Sequence, residues 1–160
     1  MTRLVLFGYG NPSRGDDALG PLLLERAEAW LAERPQLAVE TVADFQLQIE
    51  HALDLEGRDL ALFLDADLAC AGAFAFRRAE PALDASYTTH ELSPGAVLQV
   101  RREVTGQDPP PAYILSVRGE QFGLGEPLSP GAGRNLEEAW AFLQQLLLDG
   151  RPSFFEERIS

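Results

Sequence analysis

The sequence predicts an α/β fold built on a mainly parallel sheet with helices on both faces. Strand-like and helix-like patterns alternate along the 160 residues. Two runs, Asp59 to Leu64 and Ala112 to Val117, are largely apolar, as in strands buried on both sides. A glycine-rich turn also joins the first strand directly to the first helix. Alternation of this kind requires right-handed crossovers, which make neighbouring strands parallel and cover both faces of the sheet.

Arg3 to Phe7 reads as the first strand, ending in Gly8-Tyr9-Gly10-Asn11-Pro12. From Asp17 to about Glu33 a helix is predicted, because Leu19, Leu22, Leu23, Ala27 and Trp30 recur at helical spacing. Leu37 to Val42 is a second strand, and Leu47 to Leu55 a shorter helix closed by Gly57. After the Asp59 to Leu64 strand, Ala73 to Arg77 forms a further strand at an edge. Ser93 to Val104 is helical, with Ser93 or Thr89 near its start. Gln107 to Pro111 is a loop, Ala112 to Val117 the next strand, and Glu120 to Gly133 a long loop rich in Gly and Pro. The final helix, Arg134 to Leu148, carries Leu136, Ala139, Trp140, Leu143 and Leu147 on one face. The polar and aromatic tail after Gly150 is expected to fray. Without an internal repeat or a linker, residues 1–150 read as one domain and 151–160 as its tail.

Composition removes several chemistries. A hydrophobic content of 46% supports a globular core, and the formal net charge of −12 argues against nucleic acid or an anionic membrane as partner. A basic protein segment, or a site already carrying a cation, suits it better. All 13 basic residues are arginine, so lysine Schiff-base and lysine-base mechanisms are excluded. The single cysteine, Cys70, excludes a disulfide within the chain and a cysteine-based zinc site. With only His51 and His90, carboxylates must supply most ligands of any metal. No apolar run approaches the roughly 18–20 residues of a membrane helix, and Leu4 to Phe7 passes straight into glycines and then Asp16 and Asp17. A cytoplasmic location is expected.

In folds of this class the working groups gather at the carboxyl ends of the strands. The first candidate there is Gly8-Tyr9-Gly10-Asn11-Pro12-Ser13-Arg14-Gly15-Asp16-Asp17. A dinucleotide reading is poor, because Ser13 stands where a third glycine is needed and two aspartates would face the pyrophosphate. Helix capping needs one aspartate, Asp16, which leaves Asp17 to point into the crevice. The second candidate is Asp65, ending the buried run Phe63-Leu64-Asp65-Ala66-Asp67; spacing alone barely separates it from Asp67.

The third candidate is His90, in the polar stretch Thr88-Thr89-His90-Glu91-Leu92. Pro94 sits where the second histidine of a zincin motif would fall, so that motif is absent. His51, between Glu50 and Ala52, reads as a solvated bystander on a helix surface. None of Ser13, Ser93, Ser116 or Ser129 lies in a G-x-S-x-G elbow, and Cys70 sits among apolar neighbours as a small buried hydrophobe. Two carboxylates and one imidazole remain, a set suited to a divalent cation of borderline character such as nickel, zinc or manganese.

Taken in order, Gly8-Tyr9-Gly10-Asn11, Asp16-Asp17-Ala18-Leu19-Gly20, Asp65 and His90-Glu91-Leu92 resemble the blocks of the NiFe-hydrogenase maturation endopeptidases. The likeness covers nearly the whole chain. It implies a single-domain, five-stranded α/β sandwich and a cytoplasmic enzyme that trims a C-terminal extension from the hydrogenase large subunit after nickel loading. It places the metal-contacting, catalytic positions on Asp17, Asp65 and His90, and substrate contacts on Asn11 and Gln46. Nickel is then the cofactor supplied by the precursor, and no tightly held metal of the protein's own is expected. Many members carry an Asp-Gly-Gly block where this chain has Asp44-Phe45-Gln46-Leu47-Gln48. With Arg14-Gly15-Asp16-Asp17, that segment is more similar to the branch serving NAD-linked bidirectional hydrogenases. A non-catalytic assembly chaperone or docking module would share the fold and the acidic crevice.

Overall fold

Side chains alternate between the two faces of a strand, so an unbroken apolar run is stable only where both faces are covered. The computed structural model describes residues 1–82 and 92–160. Its strands are β1 (Leu4–Tyr9), β2 (Val39–Asp44), β3 (Leu60–Asp67), β4 (Phe74–Ala79) and β5 (Ala112–Arg118). They form one five-stranded sheet in the order β2-β1-β3-β5-β4. β1 runs parallel to β2 and β3, and β3 parallel to β5, while the edge strand β4 runs antiparallel to β5. The helices are α1 (Leu19–Ala32), α2 (Pro94–Thr105), α3 (Pro130–Asp149) and α4 (Pro152–Glu157), with 3-10 segments at Gly15–Ala18 and Ile49–Leu55.

The two predicted apolar runs are the adjacent strands β3 and β5. On one face Leu6, Leu62, Leu64 and Leu115 pack with Leu19 and Leu23 of α1 and Leu143 of α3. On the other, Phe7, Ala61, Phe63 and Ile114 pack with Leu47, Leu55 and, from α2, Val97 and Val100. Phe7 stacks on Phe63 with ring centroids 4.7 Å apart. The result is three layers with a mainly parallel sheet in the middle, as the sequence predicts. No helix among the described residues is long and apolar enough to cross a membrane.

Several boundaries differ. β3 continues through Asp67, and Leu47–Leu55 is not an α-helix but a loop leading into the 3-10 segment from Ile49. α3 begins at Pro130, inside the expected loop, because the Ser129 hydroxyl caps it by accepting from Ala132 N at 3.2 Å. α2 is capped in the same way by Ser93 rather than Thr89, which lies outside the described residues. The expected fraying of the tail is not seen. Residues 152–157 form α4, Phe155 is fully buried, and Ser160 N donates to Phe76 O on β4 at 3.0 Å.

The strand order also locates the crevice. The chain leaves β1 for β2 on one side, then returns to place β3 on the other. Ligands of open parallel sheets bind where the order reverses in this way, at the carboxyl ends. Here that place is the end of β1, residues 8–11.

Candidate functional site

Asp17 is held by the turn that follows β1. Gly10 adopts φ +148°, and a Cβ there would run into the carbonyl oxygen of Asp17, so only glycine lets the turn fold back this closely. Asn11 N then donates to Asp17 Oδ2 at 2.7 Å, while the Asn11 side chain accepts from Ser13 N at 2.9 Å and closes the turn. Asp17 lines a recess of about 450 Å³ together with Asn11, Arg14, Asp44, Gln46 and Gln48. The two positions assigned to substrate contact, Asn11 and Gln46, thus share one cavity with Asp17.

The neighbouring Asp16 does something else. It is fully buried, and its carboxylate accepts from Glu120 N (2.7 Å), Gln121 N (3.0 Å), Ser129 N (2.7 Å) and the Ser129 hydroxyl (2.7 Å). Instead of capping its own helix, as expected, it fastens the 119–129 loop and supports the cap of α3. Burial pushes its carboxyl up, but these hydrogen bonds outweigh burial and leave it below the ordinary value.

Asp65 is reached from the other side of the β1 end. Tyr9 donates its hydroxyl to Asp65 Oδ2 at 2.9 Å, while Oδ1 is buried. Burial pushes this carboxyl above its ordinary value; the Ser116 and Tyr9 hydroxyls and the Arg77 guanidinium pull against that. Asp67, two residues on, has a turn-forming role: its Oδ1 accepts from Ala69 N at 2.9 Å. The two carboxylates that spacing barely separates thus touch different groups.

Cys70 is buried, its thiol donates to Ser116 O at 3.6 Å, and burial followed by the nearby Asp67 and Asp65 charges pushes it up. It is no nucleophile. His90 lies outside the described residues. Among the described residues, no three His, Cys, Asp or Glu side chains gather into a group that could hold a metal ion.

His51 is not the solvated bystander the sequence suggested. It is buried, with 6% of its surface exposed, and its ring meets Phe7 edge-on at 5.9 Å. Its Nδ1 accepts from Gln48 N at 2.8 Å, which leaves Nε2 to carry the proton 3.3 Å from Asp44 Oδ2. Asp44 in turn accepts from Phe45 N at 2.7 Å and from the Gln48 side chain at 3.3 Å. An acid–imidazole pair therefore fixes the loop that forms the far wall of the recess. Neither residue carries a motif; Gln48 and His51 at capping-box spacing, beginning a 3-10 segment, are the only sequence signal of it.

No protein-family model matches the sequence, and no curated protein does. Solved structures do match along most of the chain. The hydrogenase maturating endopeptidase HybD from E. coli superposes with a TM-score of 0.70 at 23% identity, covering 92% of this chain and 93% of that one. The NiFe hydrogenase maturation protease HycI from Thermococcus kodakarensis KOD1 gives a TM-score of 0.65 at 26% identity, covering 91% and 92%. This chain has the fold of the hydrogenase maturation proteases. A maturation peptidase from a thaumarchaeon matches with a TM-score of 0.61 at 19% identity over 91% and 97% of the two chains. The resemblance drawn from the motif blocks is borne out at the level of the whole maturation-protease fold, with no large segment of either partner left over.

Proposed function

We propose that this protein is an endopeptidase that removes the C-terminal extension of a nickel-loaded NiFe-hydrogenase large-subunit precursor. The observation that carries the reading is the pair of carboxylates fastened to opposite sides of the β1 end, on a fold shared with maturation endopeptidases over nine-tenths of both chains. Asp17 and Asp65 each have one oxygen held by the β1 turn, Asp17 by Asn11 N and Asp65 by Tyr9. Asp17 keeps its second oxygen for the substrate, Asp65 presents its carboxylate from the end of β3, and His90 supplies the imidazole. Asn11 and Gln46 contact the peptide in the recess beside Asp17.

Nickel belongs to the substrate in this reading, and a divalent cation of that kind polarises a carbonyl or a water in amide hydrolysis. The protein's own part is to orient two carboxylates and an imidazole around it, so that a precursor without nickel is left uncut. The reaction belongs in the cytoplasm, and the Arg14 to Asp17 and Asp44 to Gln48 segments favour a NAD-linked bidirectional hydrogenase as the one served. The test is a mobility shift of the purified large-subunit precursor. Wild-type protein is expected to shorten the nickel-loaded form and leave the nickel-free form intact. Asp17→Asn, Asp65→Asn and His90→Ala are each expected to abolish the shift with an unchanged circular-dichroism spectrum. A stable complex with the precursor that is never shortened would overturn the protease reading in favour of a chaperone.

A further inference from the structure

The recess holding Asp17 has a neighbour. A second cavity, about 280 Å³ and mainly apolar, is lined by Gly10, Pro12, Pro21, Ala43, Asp44 and Phe45. The two cavities share Asp44 and Phe45 as a common wall, one side polar and the other apolar. Phe45 itself is 68% exposed, on a backbone that is firmly tied. Its amide donates to Asp44 Oδ1, and Asp44 is held by Gln48 and by the buried His51. The ring is therefore presented on a loop whose backbone is already ordered, which lowers the entropy cost of using it in binding.

Resting on the proposed endopeptidase function, we infer that Phe45 is a specificity-determining residue. It divides the peptide site into a polar compartment beside Asp17 and an apolar slot that takes one apolar side chain of the precursor near the cut. The occupant follows from continuity and charge. The slot opens beside the recess where Asn11 and Gln46 meet the peptide, so an extended segment in one passes the mouth of the other. The recess rim carries two carboxylates, Asp17 and Asp44, against one guanidinium, Arg14, on a chain of net charge −12, and Asp44 also borders the slot. An apolar side chain flanked by basic residues matches that rim, and an acidic segment does not.

Steady-state cleavage of the nickel-loaded precursor tests this with three variants: Phe45→Gly, Phe45→Tyr, and Leu148→Ser as a control. Leu148 is 62% exposed on α3, outside both cavities. Phe45→Gly is expected to raise KM about tenfold or more with a much smaller change in kcat, as loss of an aromatic binding residue does. Phe45→Tyr is expected to restore KM, and Leu148→Ser to match wild type. Replacing the apolar residues beside the precursor's cut by serine, one at a time, should raise KM for wild type at one position and add nothing to Phe45→Gly there. An unchanged KM in Phe45→Gly, or additive effects at every position, overturns the slot while leaving the protease reading in place. If wild type binds the precursor without cutting it and Phe45→Gly abolishes that binding, the slot stands and the protease reading falls. Absence of both binding and cutting by wild type overturns the two together.

Discussion

Asp16 and Asp17 are adjacent in sequence and opposite in purpose. Asp17 spends one oxygen on Asn11 N and lines an open recess, whereas Asp16 is sealed in and meets four donors. Removing the Asp16 carboxylate would leave backbone N–H groups from two segments unpaired. Asp16→Ala is expected to cost about 3 kcal/mol, measured as a urea midpoint shift, because buried donors to a charged acceptor are expensive to strand. The pH dependence has a definite sign. Its folded value lies below the ordinary carboxylate value, so the stabilisation is present in full above the unfolded value of 3.8 and is lost as pH falls through the folded one. The gap between wild type and Asp16→Ala should hold steady from pH 7 to pH 5 and shrink below about pH 4. Asp17, which the sequence reading left free to point into the crevice, lines the recess, while Asp16 is buried. The sequence could not show that Asp16 serves Glu120, Gln121 and Ser129, because partners more than 100 residues away leave no local pattern. His51 was misjudged for a related reason. A histidine beside a glutamate reads as polar surface, and its burial depends on Phe7 and Asp44 from other strands.

At the scale of elements, α1 lies directly on the ends of the strands that carry the site. A Cβ on Gly20 would fall well inside contact distance of Tyr9 O and 2.7 Å from Leu64 O, both backbone atoms. Gly20 is what allows the helix to rest against Tyr9 of β1 and against Leu64 of β3, one residue before Asp65. Two effects oppose each other in Gly20→Ala. Alanine gains about 0.5–1 kcal/mol over glycine inside a helix, while forcing a methyl group against rigid backbone costs about 1–3 kcal/mol. The clash with carbonyls that cannot rotate away should win, giving a net loss of about 1–2 kcal/mol in urea denaturation. Cleavage should fall as well, since the methyl group presses on the backbone of Tyr9, whose hydroxyl holds Asp65. A more stable Gly20→Ala protein would show that the helix does not rest on these strands. The helix itself was legible from Leu19, Leu23 and Ala27, and the central strands from their apolar runs. Their exact ends were not, because β3 runs on to Asp67 only through pairing with Arg118 on β5. The Leu47 to Leu55 helix failed for another reason: capping-box bonds between Gln48 and His51 favour a tighter 3-10 course there.

Taken whole, the molecule separates the end where the site is proposed from the edge that the tail protects. The carboxyl ends of β1 and β3 carry the proposed site, and the far edge, β4, is covered by the chain's own C-terminal segment. Phe155 of α4 packs against Phe76 and Tyr113 with ring centroids 6.2 and 5.4 Å away, and Glu156 accepts from the Tyr113 hydroxyl at 2.9 Å. An edge strand left bare is a template for aggregation, and this segment removes part of that hazard. Composition suggests fraying because residues 151–160 are short and mostly polar, yet the buried Phe155 ring, the Glu156 carboxylate and the Ser160 hydrogen bonds to Phe76 dock them. Phe155→Ala should therefore cost about 3 kcal/mol or more. The same contact has an alkaline signature. Burial, then the bond to Glu156, pushes the Tyr113 phenol up to about 12 from an ordinary value of 10. A raised folded value means the stabilisation is complete below 10 and is lost as pH rises toward 12, because the unfolded chain releases its proton first. Urea midpoints of wild type should accordingly fall between pH 9 and pH 11. Glu156→Gln should start lower at pH 9, having lost a charged acceptor, and fall less over that interval, because Tyr113 then ionises closer to its ordinary value. Parallel declines in the two proteins would show that the tyrosine is not held by the tail.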